Sequence, residues 1–273
     1  MKVLVTGAKG MLGQDLCPAL EDDGYEVIEK DIADFDITDE SAVRDAITDI
    51  MPEIVIHCAA YTNVDKAEEE FDKAHAVNSK GVENVAKVCA KTGAVLVYIS
   101  TDYIFDGTKN TPYTPDDKPN PINNYGLTKL KGEEAVQRYC TKYYIVRTSW
   151  LYGHHGKNFV ETMLSLKNKE ELKVVDDQTG CPTWTAELSS GIIKLLREKP
   201  YGIYHVCGSG KTTWYGFAKE ILKPYNVNLI PCKTSEFPRP AKRPAYSVMD
   251  NGKICGGWKA ALHDYLKLRL EEV

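Results

Sequence analysis

The chain has 273 residues, of which 27% are charged and 43% hydrophobic, and its formal net charge is −5. This composition is typical of a globular protein, and because no run is rich in Lys and Arg we expect no nucleic-acid partner. No apolar stretch reaches the roughly 18–20 residues that span a bilayer, so we expect no membrane partner. The eight cysteines include no CxxC pair. Their scatter predicts reduced thiols in a cytoplasmic protein and no zinc site.

The first half of the chain alternates predicted strands and helices. Strands are predicted over 2–6, 25–29, 54–58, 94–100 and 143–148, and helices over 11–21, 40–50, 74–92 and 125–139. The strands are almost continuously apolar, which is typical of a parallel sheet covered by helices on both faces. We therefore predict an α/β protein with a Rossmann-type doubly wound sheet, which binds ligands at the carboxyl ends of its strands.

After residue 150 the pattern loosens. Helices are predicted over 158–166, 186–197 and 214–225, short strands over 172–175 and 203–206, and little periodicity over 226–250. We interpret residues 1–150 as one domain. Residues 151–273 are interpreted mainly as a smaller lobe, with some segments returning to the sheet.

Three glycines follow the first strand and open the first helix, at Gly7, Gly10 and Gly13. In such a turn one glycine permits the bend, one lets the backbone approach a pyrophosphate, and one packs helix on strand. The N–H groups at the start of the helix, where Met11 and Leu12 lie, favour the phosphates. This motif predicts a dinucleotide site. We therefore interpret residues 1–150 as an NAD(P)-binding domain and residues 151–273 mainly as a substrate-binding lobe.

An acidic side chain after the second strand of this fold usually accepts the adenosine ribose hydroxyls. Asp31 fits this position best, and Glu29 is the competitor. Lys30 lies between them and can pair with a 2′-phosphate. The choice between NADH and NADPH therefore stays open.

Tyr125 and Lys129 are four residues apart in one predicted helix and so share a face. A tyrosine hydroxyl, with a pKa near 10, transfers protons near neutral pH only if positive charge stabilises its phenolate, and Lys129 supplies that charge. Thr101 ends a buried strand and can hold a substrate carbonyl beside Tyr125. Asp102 either binds substrate, tunes proton transfer, or is a turn residue.

These motifs resemble the extended branch of the short-chain dehydrogenase/reductase superfamily over roughly residues 1–150. The resemblance implies that Asp36-Ile37 approaches the adenine, that Ala59-Ala60-Tyr61 runs against the cofactor, and that Tyr125 and Lys129 contact it too. Nucleotide-sugar 4,6-dehydratases of that superfamily carry Thr-Asp-Glu where this chain has Thr101-Asp102-Tyr103. Elimination would lack its base here, which favours simple carbonyl reduction.

Further segments extend the resemblance nearly end to end, to the dTDP-4-dehydrorhamnose reductases. These segments are AAYTNVDKAE at 59–68, STDYIFDG at 100–107, RTSWLYG at 147–153, DDQTGCPT at 176–183, and SVMDN at 247–251 after Arg243-Pro244. The resemblance implies reduction of dTDP-4-dehydro-β-L-rhamnose to dTDP-L-rhamnose by NADH or NADPH. It also implies that Tyr125 gives the proton, that Trp150 lines the sugar pocket, and that Arg239 or Arg243 contacts the diphosphate or thymidine.

Some members of that family dimerise through Mg²⁺ held by glutamates, and Asp15 and Glu187 are the nearest counterparts here. The other carboxylates have no match, so a Mg²⁺-linked homodimer stays an open expectation, and no metal is expected in the chemistry. Two other functions also stay open. A regulatory subunit of methionine adenosyltransferase would bind a dinucleotide without turnover, whereas a reductase or epimerase of another nucleotide sugar would differ in the second lobe.

Overall fold

A computed structural model of the chain describes residues 1–271. The elements of the first half are β1 Lys2–Thr6, α1 Met11–Asp22, β2 Glu26–Lys30, α2 Glu40–Ile50, β3 Ile54–His57, α3 Lys66–Glu69, α4 Phe71–His75, α5 Val82–Thr92, β4 Val95–Thr101, α6 Asn124–Tyr139 and β5 Tyr143–Thr148. Those of the second half are β6 Leu151–Tyr152, α7 Phe159–Ser165, β7 Glu171–Val175, β8 Thr179–Gly180, β9 Thr183–Trp184, α8 Thr185–Glu198, β10 Gly202–His205, β11 Thr212–Thr213, α9 Trp214–Ile221, β12 Asn228–Cys232 and α10 Trp258–Glu271.

Six strands form one parallel sheet, in the order β10-β5-β4-β3-β1-β2. After β1 the chain adds β2 on one side and then crosses to β3 on the other. A doubly wound sheet binds its ligands at this reversal. The predicted fold class is confirmed. The edge strand β10 comes from the second half of the chain and pairs with β5.

Alternate residues of the central strands bury opposite faces of the sheet. Val3 and Val5 pack with Leu16 of α1 and Ile192 of α8. Leu4 points the other way and joins the cluster that contains residues of α2, α5 and α6. This alternation follows from the two-residue repeat of a strand. The second half therefore supplies both an edge strand and a covering helix to the sheet.

The rest of the second half forms a smaller layer around a separate apolar cluster. Helices α7, α9 and α10 bury Val160, Phe217 and Tyr265 there, beside the parallel pair β7 and β12. No helix within residues 1–271 is long and apolar enough to cross a membrane.

Three parts of the chain differ from the prediction. The helix expected over 74–92 is interrupted by a π-helical segment, Ala76–Gly81. The segment 226–250 contains strand β12, which was missed because its Pro231 argues against a strand in the sequence. The proline is tolerated because β12 is an edge strand that pairs with β7 in a two-stranded sheet. Helix α10 was not predicted, although Trp258, Leu262 and Tyr265 lie at helical spacing and are buried.

Candidate active site

A cleft of about 800 Å³ lies at the carboxyl ends of β1, β3, β4 and β5. Of the residues considered for cofactor or substrate binding, Arg239, Arg243 and Glu29, the competitor of Asp31, are absent from its lining. The predicted residues that line it are Gly7, Gly10, Met11, Leu12, Gly13, Asp31, Asp36, Ile37, Ala59, Ala60, Tyr61, Thr101, Asp102, Tyr125, Lys129 and Trp150. The fold thus brings residues from across the first half of the chain to one edge of the sheet.

The wall nearest β1 consists of closely packed backbone. Gly7 has φ +69°, and a Cβ added there would lie 2.6 Å from the Ala59 nitrogen. A Cβ at Gly13 would overlap the Ala8 carbonyl. Helix α1 begins after Gly10 with no side-chain cap and no acidic residue in its first turn. Its positive end is therefore uncompensated, which fits the pyrophosphate of a dinucleotide.

The side chains beyond β2 line the end of the cleft at which the adenosine is predicted to bind. Asp31 accepts hydrogen bonds from the backbone nitrogens of Lys9, at 3.0 Å, and Ile32, at 2.8 Å. Lys30 forms an ion pair with Asp34 at 3.3 Å. A carboxylate held in this position suits ribose hydroxyls, while the neighbouring ammonium suits a phosphate.

Three further predicted residues are fixed by their neighbours. Asp36 accepts from the backbone nitrogen and the hydroxyl of Thr38, both at 2.8 Å. Ile37 is buried against Gly81, where an added Cβ would lie 2.8 Å from its Cδ1. The backbone of Tyr61 exchanges two hydrogen bonds with the Asn78 amide, at 2.8 and 3.0 Å. Asn78 lies in the π-helical segment, and nothing in the sequence pattern singled it out.

Thr101 and Tyr125 come together because β4 ends beside the start of α6. The Asn123 side chain caps α6 by accepting from the Gly126 nitrogen at 2.8 Å. Gly126 has no Cβ, which would overlap the Tyr103 carbonyl, so this first turn packs closely under the end of β4. Burial raises the pKa of Tyr125 to about 12, and the neighbouring Thr101 hydroxyl opposes that rise.

Lys129 lies one helical turn beyond Tyr125 and is buried. Its Nζ donates to the Ile99 carbonyl at 2.7 Å and lies 4.3 Å from the centre of the Tyr98 ring. Burial lowers the pKa of Lys129 to about 7, and the charge of Glu133 opposes that effect. Glu133 is itself paired with Arg147, Oε2 to Nη2 at 2.7 Å, and both side chains are at most 2% exposed.

The rim of the cleft carries an aromatic pair that joins the two halves of the chain. Trp150 stacks on Trp214, with ring centroids 3.5 Å apart and planes 5° apart. Its backbone has φ +47°, in the left-handed region, and Gly180 leaves room for its indole. Trp214 and Lys157 also line the cleft and were not predicted. Both come from the second half, where no motif indicated that they face the site.

Arg243 lies behind the rim and is paired there. It donates to Asp65 at 2.7 and 2.9 Å and to the Ala241 carbonyl at 2.7 Å. Arg239 lies 3.9 Å from the same carboxylate. A partly buried guanidinium needs such a partner, so its charge is neutralised locally. Substrate binding by Arg243 stays a prediction.

The two carboxylates considered for Mg²⁺ have separate partners. Asp15 accepts from the Thr185 hydroxyl and lies 3.5 Å from His155, whereas Glu187 accepts from the Gly256 nitrogen at 3.3 Å. Within residues 1–271, no three His, Cys, Asp or Glu side chains are grouped closely enough to hold a metal ion.

Comparison with known proteins gives consistent matches over almost the whole chain. The family described as RmlD substrate binding domain matches residues 1–268. A dTDP-4-dehydrorhamnose reductase from Streptomyces griseus is 44% identical over 94% of this chain and 87% of its own length. The crystal structure of a dTDP-4-dehydrorhamnose reductase from Clostridium acetobutylicum is 46% identical, with a TM-score of 0.96, and the match covers 99% of this chain and 100% of that one. The corresponding enzyme of Bacillus anthracis, in complex with NADP, is 42% identical with a TM-score of 0.95, over 98% and 99% of the two chains.

Proposed function

Since the chain belongs to the family described as RmlD substrate binding domain, we propose that it reduces dTDP-4-dehydro-β-L-rhamnose to dTDP-L-rhamnose with NAD(P)H. Membership of the family confirms the resemblance seen in the sequence. The observation that carries the proposal is the meeting of Thr101, Tyr125 and Lys129 at the cleft that the glycine turn opens.

Each of these side chains has a proposed part in the reduction. When bound, the nicotinamide supplies a hydride to the carbonyl carbon. The Thr101 hydroxyl orients the carbonyl beside Tyr125, and Tyr125 gives its proton to the carbonyl oxygen. The Lys129 ammonium holds the nicotinamide ribose and stabilises the phenolate that forms.

For the cofactor, we propose that the cleft accepts NADPH as well as NADH. The NADP bound to the Bacillus anthracis relative supports NADPH. Lys30 supports it too, because its ammonium lies at the adenosine end and is held only by the partly exposed Asp34. Asp31 instead suits the free ribose hydroxyls of NADH.

The test measures oxidation of NADH and NADPH in the presence of enzymatically generated dTDP-4-dehydro-β-L-rhamnose. We expect Tyr125→Phe to lower kcat about 10²–10⁴-fold, because the general acid is lost. Tyr139→Phe is the matched control, since it removes a hydroxyl of the same helix that lies outside the cleft lining and bonds to the partly buried Glu83.

Several results would count against the proposal. Full activity in Tyr125→Phe would remove Tyr125 from the chemistry. Dinucleotide binding without turnover would favour the regulatory subunit of methionine adenosyltransferase, and turnover only with another nucleotide sugar would favour a different reductase or an epimerase.

We also propose a cytoplasmic location and a homodimer. The eight cysteines are all free, as a reducing compartment would keep them. Asp15 and Glu187 lie on the packed helices α1 and α8, so a second copy that brings carboxylates to this face would complete a Mg²⁺ site. Sedimentation with Mg²⁺ and with a chelator tests the dimer. A monomer under both conditions would contradict it.

A further inference from the structure

Trp150 has a backbone conformation that a bulky residue rarely adopts. Its φ is +47°, and the other non-glycine residues with a positive φ within residues 1–271 are Met51 and Lys253, both of which are exposed. Trp150 is instead partly buried and lines the cleft. Such a conformation costs energy and persists where the surrounding structure fixes it, often at a functional site. The contacts that hold Trp150 in place are therefore expected to serve the cleft.

The backbone around Trp150 is held by the segment 181–184. The Ser149 hydroxyl donates to the Cys181 carbonyl at 2.6 Å, and the Thr183 nitrogen donates to the Trp150 carbonyl at 3.3 Å. Directly after Trp150, strand β6 pairs with β9. These bonds fix the path of the chain and the direction in which the indole leaves it. They do not by themselves fix the side-chain torsions of Trp150, which have several staggered positions.

The indole of Trp150 is held by the two-stranded sheet of β8 and β11. In that sheet Thr212 pairs with Gly180, and Trp214 begins the helix that follows β11. The Trp214 indole stacks on that of Trp150, with ring centroids 3.5 Å apart and planes 5° apart. A Cβ added to Gly180 would lie 2.5 Å from Cε2 of Trp150. One small sheet of the second half therefore brings two neighbours against the indole and restricts its torsions.

Trp214 is itself fixed by residues other than Trp150. Its Nε1 donates to Oε1 of Gln178 at 3.2 Å, and Nε2 of Gln178 donates to the Thr234 hydroxyl at 3.0 Å. Gln178 is 6% exposed, and a buried amide is held in place by such partners. The Phe159 ring lies 4.6 Å from that of Trp214. The orientation of Trp214 is thus set within the second half and is passed on to Trp150 by the stack.

The aromatic pair lines the same cleft as the side chains proposed for the chemistry. Trp150 and Trp214 share that lining with Thr101 and Tyr125. An indole offers a large flat apolar surface, on which the ring C–H groups and the methyl group of a 6-deoxy sugar can pack. A wall that is in place before the ligand arrives strengthens binding, because no side chain has to be ordered at that moment.

We propose that Trp214 is a positioning residue for the sugar nucleotide, because it holds the Trp150 indole in place as a preformed wall of the sugar pocket. This inference rests on the reduction proposed above. Trp214 acts through Trp150, since its ring lies on that indole and its N–H is bonded to Gln178. The second half of the chain thereby controls the shape of a pocket whose reacting groups come from the first half.

The first test needs no turnover and uses the cofactor-free protein. The chain has four tryptophans, so labelling with fluorotryptophan gives four fluorine NMR resonances, which single substitutions assign. We expect one narrow line for Trp150 in the wild type and a broadened or divided line in Trp214→Leu, because the indole then samples several rotamers. A Trp150 line that stays single and narrow in Trp214→Leu would overturn the proposal, whether or not the protein reduces the rhamnose precursor. Failure of this inference is thus separate from failure of the proposed function.

The second test asks whether Trp214 acts through Trp150. Trp214→Leu should raise the KM of the sugar nucleotide about tenfold and leave kcat within about twofold, because binding of the ground state and of the transition state weakens equally. In a Trp150→Leu background the same substitution should raise KM less than about twofold, since the side chain that it positions is already gone. An unchanged KM in Trp214→Leu, or increases that multiply in the double variant, would contradict the proposal.

The third test separates this role from general packing of the second half. Trp214→Phe keeps an aromatic ring against Trp150 and should hold KM within about threefold of the wild type. Trp258→Leu is the matched control, because Trp258 is buried in the apolar cluster against which Trp214 packs and does not line the cleft. It should lower the melting temperature and leave KM unchanged. Equal increases of KM in Trp214→Leu and Trp258→Leu would overturn the proposal.

Discussion

The two walls of the cleft are built on different principles. The wall at Gly7–Gly13 is made of backbone, and its shape depends on glycines that let segments touch. The opposite wall, called the side-chain wall below, contains the buried ionisable side chains of Asp102 and Lys129, whose behaviour depends on what surrounds them. Glu133 is buried behind this wall, where it accepts a hydrogen bond from Ser100. Close backbone packing can therefore be recognised from a short motif such as the glycine turn. The pKa of a buried side chain cannot be recognised in that way, because it depends on neighbours from distant segments.

The largest effect is expected from loss of the buried ion pair behind the side-chain wall. Glu133→Ala leaves the Arg147 guanidinium, which is 2% exposed, without its carboxylate. We expect the free energy of unfolding to fall by about 3–5 kcal/mol, measured by urea denaturation. The variant should also lower the pKa of Lys129 further, since Glu133 raises it.

A surface pair provides the control for this change. Glu220→Ala removes an ion pair with Lys259, whose side chain is 66% exposed, and should cost less than about 1 kcal/mol. Equal losses of unfolding free energy in Glu133→Ala and Glu220→Ala would show that burial of the Glu133–Arg147 pair does not increase its contribution to stability.

The next effect concerns the backbone wall. Gly7→Ala would place a Cβ 2.6 Å from the Ala59 nitrogen at a positive φ. We expect a loss of about 2–4 kcal/mol in unfolding free energy, from the backbone conformation and from overpacking together. Affinity for the dinucleotide should fall as well, and fluorescence titration measures it.

Gly24→Ala separates these two causes. Gly24 also has a positive φ, +87°, but a Cβ there meets nothing within 4 Å. Its substitution should cost only about 1–2 kcal/mol and leave dinucleotide affinity unchanged. If Gly24→Ala lowered the unfolding free energy as much as Gly7→Ala, the close approach of Gly7 to Ala59 would not explain the effect of the Gly7 substitution.

The smallest effect is expected behind the rim, where the ion pair is partly exposed. Asp65→Asn weakens the pairing with Arg243 and should cost about 1–2 kcal/mol at neutral pH. The hydrogen bond from Arg243 lowers the pKa of Asp65. The stabilisation is therefore fully present above the ordinary pKa of an aspartate, and is lost as the pH falls through the lowered value.

Thermal unfolding of wild type and Asp65→Asn across the acid range measures this contribution. The two curves should converge as the pH falls. A gap between them that stays constant down to low pH would show that the pair with Arg243 does not stabilise the fold.

The backbone wall and the sheet could be predicted because their signals are local. The glycine spacing, the apolar strands and the four-residue interval between Tyr125 and Lys129 each lie within one short segment. Asn78 could not be found in this way, because its role arises from a π-helical segment within a predicted α-helix. Trp214 lines the cleft and packs on Trp150, which lies far away in sequence.

The ion-pair partners and the pKa values of the site residues could not be predicted from the sequence either. Arg243 is a plausible phosphate ligand by charge alone, yet the fold pairs it with Asp65. In the sequence, Asp102 looks like an ordinary turn residue. Its pKa is raised by burial in the folded chain, and no neighbouring residue in the sequence indicates that burial.

The position of β10 has a consequence for how the chain is made. As the protein leaves the ribosome, β5 emerges well before residues 202–205, which pair with its free edge. Helix α8, which covers α1, also emerges late. A nascent chain that has passed only residue 150 therefore presents an unpaired strand edge and an uncovered apolar helix face, both of which promote aggregation. Protection by a chaperone during synthesis would matter most in that interval.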